Sequence, residues 1–412
     1  MNNANNQTLN FFSISPVKTI LWLRTDAIGD NVLASSMLPH IKNKFGPTKI
    51  TVLCQEHVAP LYEHCPFVDS TITVNKNAFY QDQAYQRKTL AILEKLRFDL
   101  VLNSIYSRDF MTDLLAMQPQ TKKRVAFHGN LCNITRRIRN RHNKSYDSII
   151  LDTKPFKSEL EQHRNFLHHF GITVKQLKPI IWLRERDELW AKNFLCKQNF
   201  DPQKTIILFA GAQSTQRWSL LYGKALDQIC WKHDLNVIAV GTQKEFDINQ
   251  KNLDYITIKT VNTCGELTLQ QTAALIKVCR LAVGSETGLA HIACATNTPN
   301  VILIGGGHFG RFMPYSPLTT LVSLPLSCYG CNWKCKYKKT YCLENLREQV
   351  LTKAIFHALS TPNIQAHIFE QQETHLKKRF FVPRWRSARN LIELEDTKII
   401  NVSSVSPKEQ AC

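Results

Sequence analysis

A chain of 412 residues with 43% hydrophobic and 21% charged side chains is a soluble globular protein long enough for two domains, each with its own core. No stretch approaches the roughly 20 uninterrupted apolar residues of a spanning helix. The start, MNNANNQTLNFFSISPVK, lacks a basic segment followed by a long apolar run, so it does not read as a signal peptide and a cytoplasmic location is expected. The net charge of +19 favours polyanions: nucleic acid, an anionic membrane face or a phosphorylated substrate.

In chain order, TILWLR (19–24) reads as a buried strand, followed by a helix through 31–45 with Val32, Leu33, Met37 and Ile41 on one side. KITVLC (49–54) and TITVN (71–75) are further strands, with a short helix near VAPLYEHC between them. A helix over 81–96 precedes two more strands, FDLVLN (98–103) and RVAFHG (124–129). Strands separated by helices of this length imply βαβ units and a parallel sheet. Residues 122–144 carry eight Lys or Arg and no acid, which suits a solvated loop or the contact for an anionic partner. From 130 to 175 the chain reads as basic loop plus a connecting helix, 159–170.

The pattern then restarts. Strands are expected at 205–211, 236–241, 255–260, 280–285 and 300–306, with helices at 219–233, 243–251, 268–279 and 288–296 between them. Two successive doubly wound units predict two Rossmann-like domains with chemistry in a cleft at the carboxyl ends of the strands. A last helix is expected at 343–359. In the tail, LKKRFFVPRWR (376–386) interleaves bases with aromatics, which suits a membrane surface, an anionic polymer, or an ordinary docked or disordered end.

Four turns carry chemistry. In Arg24-Thr25-Asp26-Ala27-Ile28-Gly29-Asp30, Gly29 permits a tight turn, and Asp30 stands at a helix start. There it either caps the helix or takes a proton from an attacking hydroxyl. In Gly284-Ser285-Glu286-Thr287-Gly288-Leu289-Ala290-His291, free N–H groups at 287–289 and the positive helix end suit a diphosphate. His291 follows, to bind substrate or satisfy a buried carbonyl. In Gly211-Ala212-Gln213-Ser214-Thr215-Gln216-Arg217-Trp218, Arg217 either neutralises a leaving diphosphate beside Ser214 and Thr215 or stacks on Trp218. The fourth, Gly305 to Gly310, matches G-x-G-x-x-G but leads into Arg311-Phe312-Met313-Pro314 where a dinucleotide fold needs a helix, so it is read as a loop.

These turns, in this order over about residues 18–318, resemble glycosyltransferase family 9, the ADP-heptose:lipopolysaccharide heptosyltransferases. RTDAIGD resembles the family's first-strand turn and KKRVAF its later basic strand. The AG…RW turn and GELTLQQTAALIKVCRLAVGSETGLAHIACATNTPNVILIGG are similar to its donor-side signatures. The resemblance implies a GT-B fold: an acceptor domain over 1–175, a nucleotide-sugar domain over 176–325, then a Cys cluster, terminal helix and basic tail over 326–412. It also implies an ADP-activated donor, inversion at the anomeric carbon and no catalytic metal or other cofactor. It assigns Asp30 as general base and Gly29, Ser214, Thr215, Arg217, Glu245, Glu286, Thr287, Gly288, Leu289 and His291 to the donor. Lys122, Lys123 and Arg124 are assigned to an anionic lipopolysaccharide-like acceptor. Peripheral contact with the inner membrane follows from such an acceptor. Three positions depart from the family's usual pattern: Glu286 where Asp is common, Arg217 where Lys is common, and a Gly-rich loop after 305 where the family has a Gly-Pro turn.

Of thirteen cysteines, nine are scattered, many in apolar runs, and read as buried thiols. The other four, Cys328, Cys331, Cys335 and Cys342, could hold one structural zinc, form disulfides, or remain thiols. A second reading of the whole chain, a basic nucleic-acid-binding protein with a zinc knuckle, leaves the paired Rossmann pattern and phosphate turns unexplained. No nucleic-acid partner is expected.

Overall fold

The structure is a computed structural model that describes residues 16–151, 158–361, 364–372, 391–394 and 397–402. The basic-aromatic segment 376–386 lies outside them. The chain divides into two units, Met1–Trp182 and Leu183–Cys412. The cysteine cluster and the helix that follows it belong to the second.

In the first unit the elements are β1 (Thr19–Arg24), α1 (Ile28–Ser35), α2 (Leu38–Phe45), β2 (Lys49–Gln55), β3 (Ser70–Val74), α3 (Lys76–Gln81) and α4 (Gln83–Glu94). They continue with β4 (Arg97–Asn103), α5 (Phe110–Met117), β5 (Gln120–Phe127), α6 (Arg136–Asn143), β6 (Ser148–Ile150) and α7 (Glu159–His169). The sheet runs β3-β2-β1-β4-β5-β6 and every pairing is parallel. Burial on both faces explains why β1 is a nearly continuous apolar run. Its Trp22 is fully buried and donates its indole N–H to Ser104 at 2.8 Å.

Two helices expected as single pieces are broken, each for a local reason. Pro39 is the second residue of α2; it cannot donate to the Ser35 carbonyl and its ring would crowd it, so the expected 31–45 helix parts at Ser36-Met37. Asp82 divides the 81–96 helix because its carboxylate accepts the N–H groups of Ala84 and Tyr85 at 2.8 and 3.1 Å and starts α4 afresh. The stretch read as basic loop contains α6, capped by the Thr135 hydroxyl, and β6.

The second unit comprises α8 (Glu185–Lys197), β7 (Thr205–Phe209), α9 (Leu221–His233), β8 (Asn236–Ala239), α10 (Phe246–Leu253), β9 (Thr260–Asn262), α11 (Leu269–Val278), β10 (Leu281–Ser285) and α12 (Gly288–Ala295). It goes on with β11 (Asn300–Leu303), β12 (Thr319–Ser323), α13 (Tyr341–Glu344), α14 (Glu348–Ser360), β13 (Ala366–Gln371), β14 (Leu391–Leu394) and β15 (Thr397–Val402). Its sheet runs β14-β15-β13-β12-β11-β10-β7-β8-β9, parallel except at β13/β15 and β15/β14. The strand expected at 255–260 begins only at Thr260, because Thr257 spends its N–H on the Asp227 carboxylate at 2.8 Å instead of a neighbouring strand.

Both sheets thus reverse their winding order at one place. In the first it lies between β1 and β4, in the second between β7 and β10. The crevice outside the carboxyl ends at such a point is where open α/β sheets bind ligands.

Candidate active site

The turn after β1 leaves the first sheet at its switch point. Arg24, fully buried, donates from Nη2 to Asp26 Oδ2 at 2.5 Å and to the Asp30 carbonyl at 2.9 Å, and from Nη1 to the Ser104 carbonyl at 3.2 Å. Asn31 Nδ2 donates to Asp26 Oδ1 and to the Ala27 carbonyl, both at 2.9 Å, and Gln55 donates to the Thr25 carbonyl. Gly29 sits buried in the first turn of α1 with helical backbone; the bend is made by extended Ala27 (φ −77°, ψ 171°). A left-handed glycine is not what shapes this turn.

Within this braced turn the two acids differ. Burial, with the charge of Asp30 adding to it and Arg24 opposing it, pushes the Asp26 carboxyl up to about 7. Asp30 is only partly buried, in the first turn of α1, and among the described residues its carboxylate meets no hydrogen-bond donor or salt-bridge partner. It caps no backbone N–H, since α1 has no side-chain cap. Its carboxylate therefore remains available as an acceptor.

In the second unit, two turns meet at the switch point. Gly284 of β10 lies against β7 so closely that a Cβ there would stand 2.4 Å from the Phe209 carbonyl oxygen. Arg217, its side chain 13% exposed, lies on a short 3-10 turn (Thr215–Arg217). It donates to the Glu286 carbonyl, and its Nη2 is 3.7 Å from Glu286 Oε2. The guanidinium stacks on Trp333, 4.6 Å from the ring centroid, and not on Trp218, whose indole N–H goes to the Ala212 carbonyl. Ser214 and Thr215 are exposed on the same turn.

Thr287, Gly288 and Leu289 form the start of α12, which has no side-chain cap, and the Thr287 hydroxyl is buried without a hydrogen-bond partner. The helix end and Arg217 bring positive potential here, offset in part by the buried Glu286 carboxylate. His291 is hydrogen-bonded through Nδ1 to the Tyr315 hydroxyl at 3.1 Å and stacked on that ring, 6° from parallel. Burial first, and Arg217 second, push it down to about 4, so it is neutral at physiological pH. Glu245 Oε2 accepts the N–H and hydroxyl of Thr242, both at 2.8 Å, and its side chain fills the space a Cβ on Gly211 would need.

A model of glycosyltransferase family 9 (heptosyltransferase) matches residues 110–341, more than half the chain. The chain belongs to this family. It is similar to the lipopolysaccharide core heptosyltransferase OpsX of Haemophilus influenzae, 23% identical over 316 residues that cover 74% of this chain and 84% of that protein. Lipopolysaccharide heptosyltransferase 2 of Escherichia coli is 22% identical over 297 residues, covering 69% and 82%. Among solved structures, the family 9 glycosyl transferase of Veillonella parvula matches with a TM-score of 0.70 at 18% identity, covering 84% of this chain and 98% of that one. The E. coli ADP-heptose lps heptosyltransferase II matches at 0.63 and 18%, covering 83% and 98%. The fold is therefore the GT-B type expected, and the protein is a family 9 glycosyltransferase.

The residues assigned to the acceptor sit away from the Asp30 turn. In the sheet register Lys123 lies beside Leu100 and Leu100 beside Ile20, toward the amino end of β1, whereas Asp30 follows its carboxyl end. Lys122 pairs with Asp99 at 2.7 Å. Arg124 donates to the carbonyls of Ala116, Met117 and Pro119 at 3.1, 3.1 and 2.5 Å, closing the end of α5. Of the bases in the 122–144 region of this family 9 chain, Lys122 on β5, Arg136, Arg137 and Arg141 on α6 and Lys144 after it are exposed, while Arg139 is buried against the Gly129 carbonyl. Amphipathic spacing over 136–143 was the available signal, hidden by the absence of apolar residues other than Ile138.

Cys328, Cys331, Cys335 and Cys342 are free thiols bordering one cavity with Gln216 and Trp333. Among the described residues no three His, Cys, Asp or Glu side chains are gathered in a set able to hold a metal ion. Sequence reasoning did not single out Trp333, Tyr315 or the Arg24–Asp26 pair. Only the pair left a trace, as opposite charges at the end of an apolar strand.

Proposed function

We propose that the protein transfers a heptose, or a related sugar, from an ADP-activated donor to a hydroxyl of a lipopolysaccharide core or similar acceptor, with inversion. The observation that carries this is the second unit's switch point, where Arg217, paired with Glu286, stands next to the uncapped start of α12 and the buried, unpartnered Thr287 hydroxyl. That chemistry suits the diphosphate of a nucleotide sugar. The printed names of its relatives, lipopolysaccharide heptosyltransferases and an ADP-heptose enzyme, support the donor and acceptor classes.

In this mechanism Asp30 takes the proton of the acceptor hydroxyl, whose oxygen forms a bond to the anomeric carbon. The bond from that carbon to the phosphate oxygen breaks, and its electron pair leaves with the nucleoside diphosphate. Arg217 and the α12 N–H groups stabilise the charge on the departing phosphate, a role a divalent ion plays elsewhere. A neutral His291, fixed by Tyr315, adds polarity without a second charge. The exposed arginines of α6 supply positive potential for a phosphorylated acceptor and for peripheral contact with the anionic membrane that carries it.

A thermal-shift series with ADP, UDP and GDP and their sugar conjugates tests the donor site. The ADP compounds are expected to raise the melting temperature; no shift with any nucleotide would sink the assignment.

A further inference from the structure

The segment 324–340, between β12 and α13, carries three of the four clustered cysteines and has no part in the mechanism above. It packs on the glycine run that follows β11. Gly330 N–H donates to the Gly306 carbonyl at 2.7 Å, and Asn332 N–H to the Gly307 carbonyl at 3.0 Å. The Gly306 N–H in turn points at Cys342 Sγ, 3.4 Å away.

Aromatic rings fill the space above these glycines. A Cβ on Gly305 or Gly307 would come within 2.5 and 2.4 Å of the Trp333 indole, and one on Gly306 within 2.2 Å of the Tyr329 ring. The three glycines are thus a socket for two rings, which gives a physical reason for a Gly-rich loop here. Trp333 is held firmly in that socket. Its indole N–H donates to His308 Nδ1 at 3.2 Å, and His308 Nε2 then donates to Asn332 Oδ1 at 2.9 Å. Asn332 and Trp333 both take left-handed backbone (φ 49° and 60°), which two consecutive non-glycine residues adopt only when their surroundings compel it.

The Arg217 guanidinium lies over this fixed indole, 4.6 Å from the ring centroid. On the other side Arg217 is tied to the Glu286 carbonyl. Arg217 therefore does not choose its own orientation; the ring and the Glu286 carbonyl and carboxylate set it together.

We infer that Trp333 is a positioning residue for the transfer reaction: the cysteine-bearing loop delivers its indole onto Arg217 and so fixes the guanidinium at the start of α12. The inference rests on the reading of Arg217 as the diphosphate contact. Without the ring, the four rotatable bonds of the arginine are freed, and ordering them again weakens nucleotide binding.

Calorimetric titration of ADP into the wild type, W333F, W333L, R217A and the double variant W333L/R217A tests this. R217A should weaken ADP about ten- to hundredfold. W333L, which keeps bulk but loses the ring face, should weaken it about three- to thirtyfold, and W333F should recover most of that loss. In the R217A background W333L should add nothing, because Trp333 acts only through the arginine. Unchanged ADP affinity in W333L, or a loss that simply adds to that of R217A, overturns the positioning role. If R217A itself binds ADP as tightly as the wild type, the donor-site reading fails instead and the inference falls with it. W333F covers the case in which W333L does not fold: its affinity should then lie between the wild type and R217A, and a value as weak as R217A would count against the ring.

Discussion

The turn after β1 and the turns after β7 and β10 occupy the same topological place in two sheets wound in the same order, yet their electrostatics differ. The first gathers acids: Asp26 and Asp30 stand beside one buried arginine, which is spent on the Asp26 carboxylate and the Asp30 backbone carbonyl in bracing the turn. The second sets one buried acid, Glu286, against an arginine tied by a carbonyl and an indole, and adds the positive end of an uncapped helix beside a hydroxyl without a partner. A common fold therefore does not set the chemistry of its switch point; the few residues after each strand do.

If the acidic turn serves proton removal and not nucleotide binding, Asp30→Asn should lower kcat by about 10²- to 10⁴-fold while ADP affinity, measured by calorimetry, stays unchanged. Retained turnover would remove Asp30 as the base. The basic turn should be more sensitive to packing at its floor. Gly284→Ala sets a Cβ 2.4 Å from the Phe209 carbonyl, so it should destabilise by about 1–3 kcal/mol in chemical denaturation and weaken ADP as the β7 and β10 turns shift apart. A variant as stable as the wild type would show that the two strands have slack.

Arg124→Ala sharpens the contrast between structural and functional bases. Its three carbonyl contacts predict a loss of about 1–2 kcal/mol in stability with acceptor KM unchanged. A raised acceptor KM at unchanged stability would restore Arg124 to the acceptor. A pH-dependent effect concerns Asp26. Because its folded carboxyl is raised from 3.8 to about 7, the folded protein holds a proton that the unfolded chain has lost between those values, and this group makes stability fall as pH rises through that window. Asp26→Asn should flatten that part of the melting-temperature profile; an unchanged slope would show that Asp26 is already ionised there.

Much of this architecture was legible because a strand buried on both faces must be written as an apolar run. TILWLR, KITVLC and FDLVLN are such runs, and each stands within one or two residues of its predicted bounds. Helix interiors were legible for the same reason. Their breaks were harder, since Pro39 and Asp82 act through one or two local hydrogen bonds that periodicity averages away. The strand predicted at 255–260 was misplaced because the Asp227 carboxylate that draws off Thr257 is distant in sequence.

By itself, then, the sequence determined two doubly wound units and the order of the turns that carry chemistry, because local spacing and apolar burial are written residue by residue. Only tertiary structure decided what each charge is set against. Arg24 and Arg124 look as available as Arg217 in a string of letters, but they close a turn and end a helix. Trp333, more than a hundred residues from Arg217, became its neighbour only through a parallel sheet that brings distant loops to one edge.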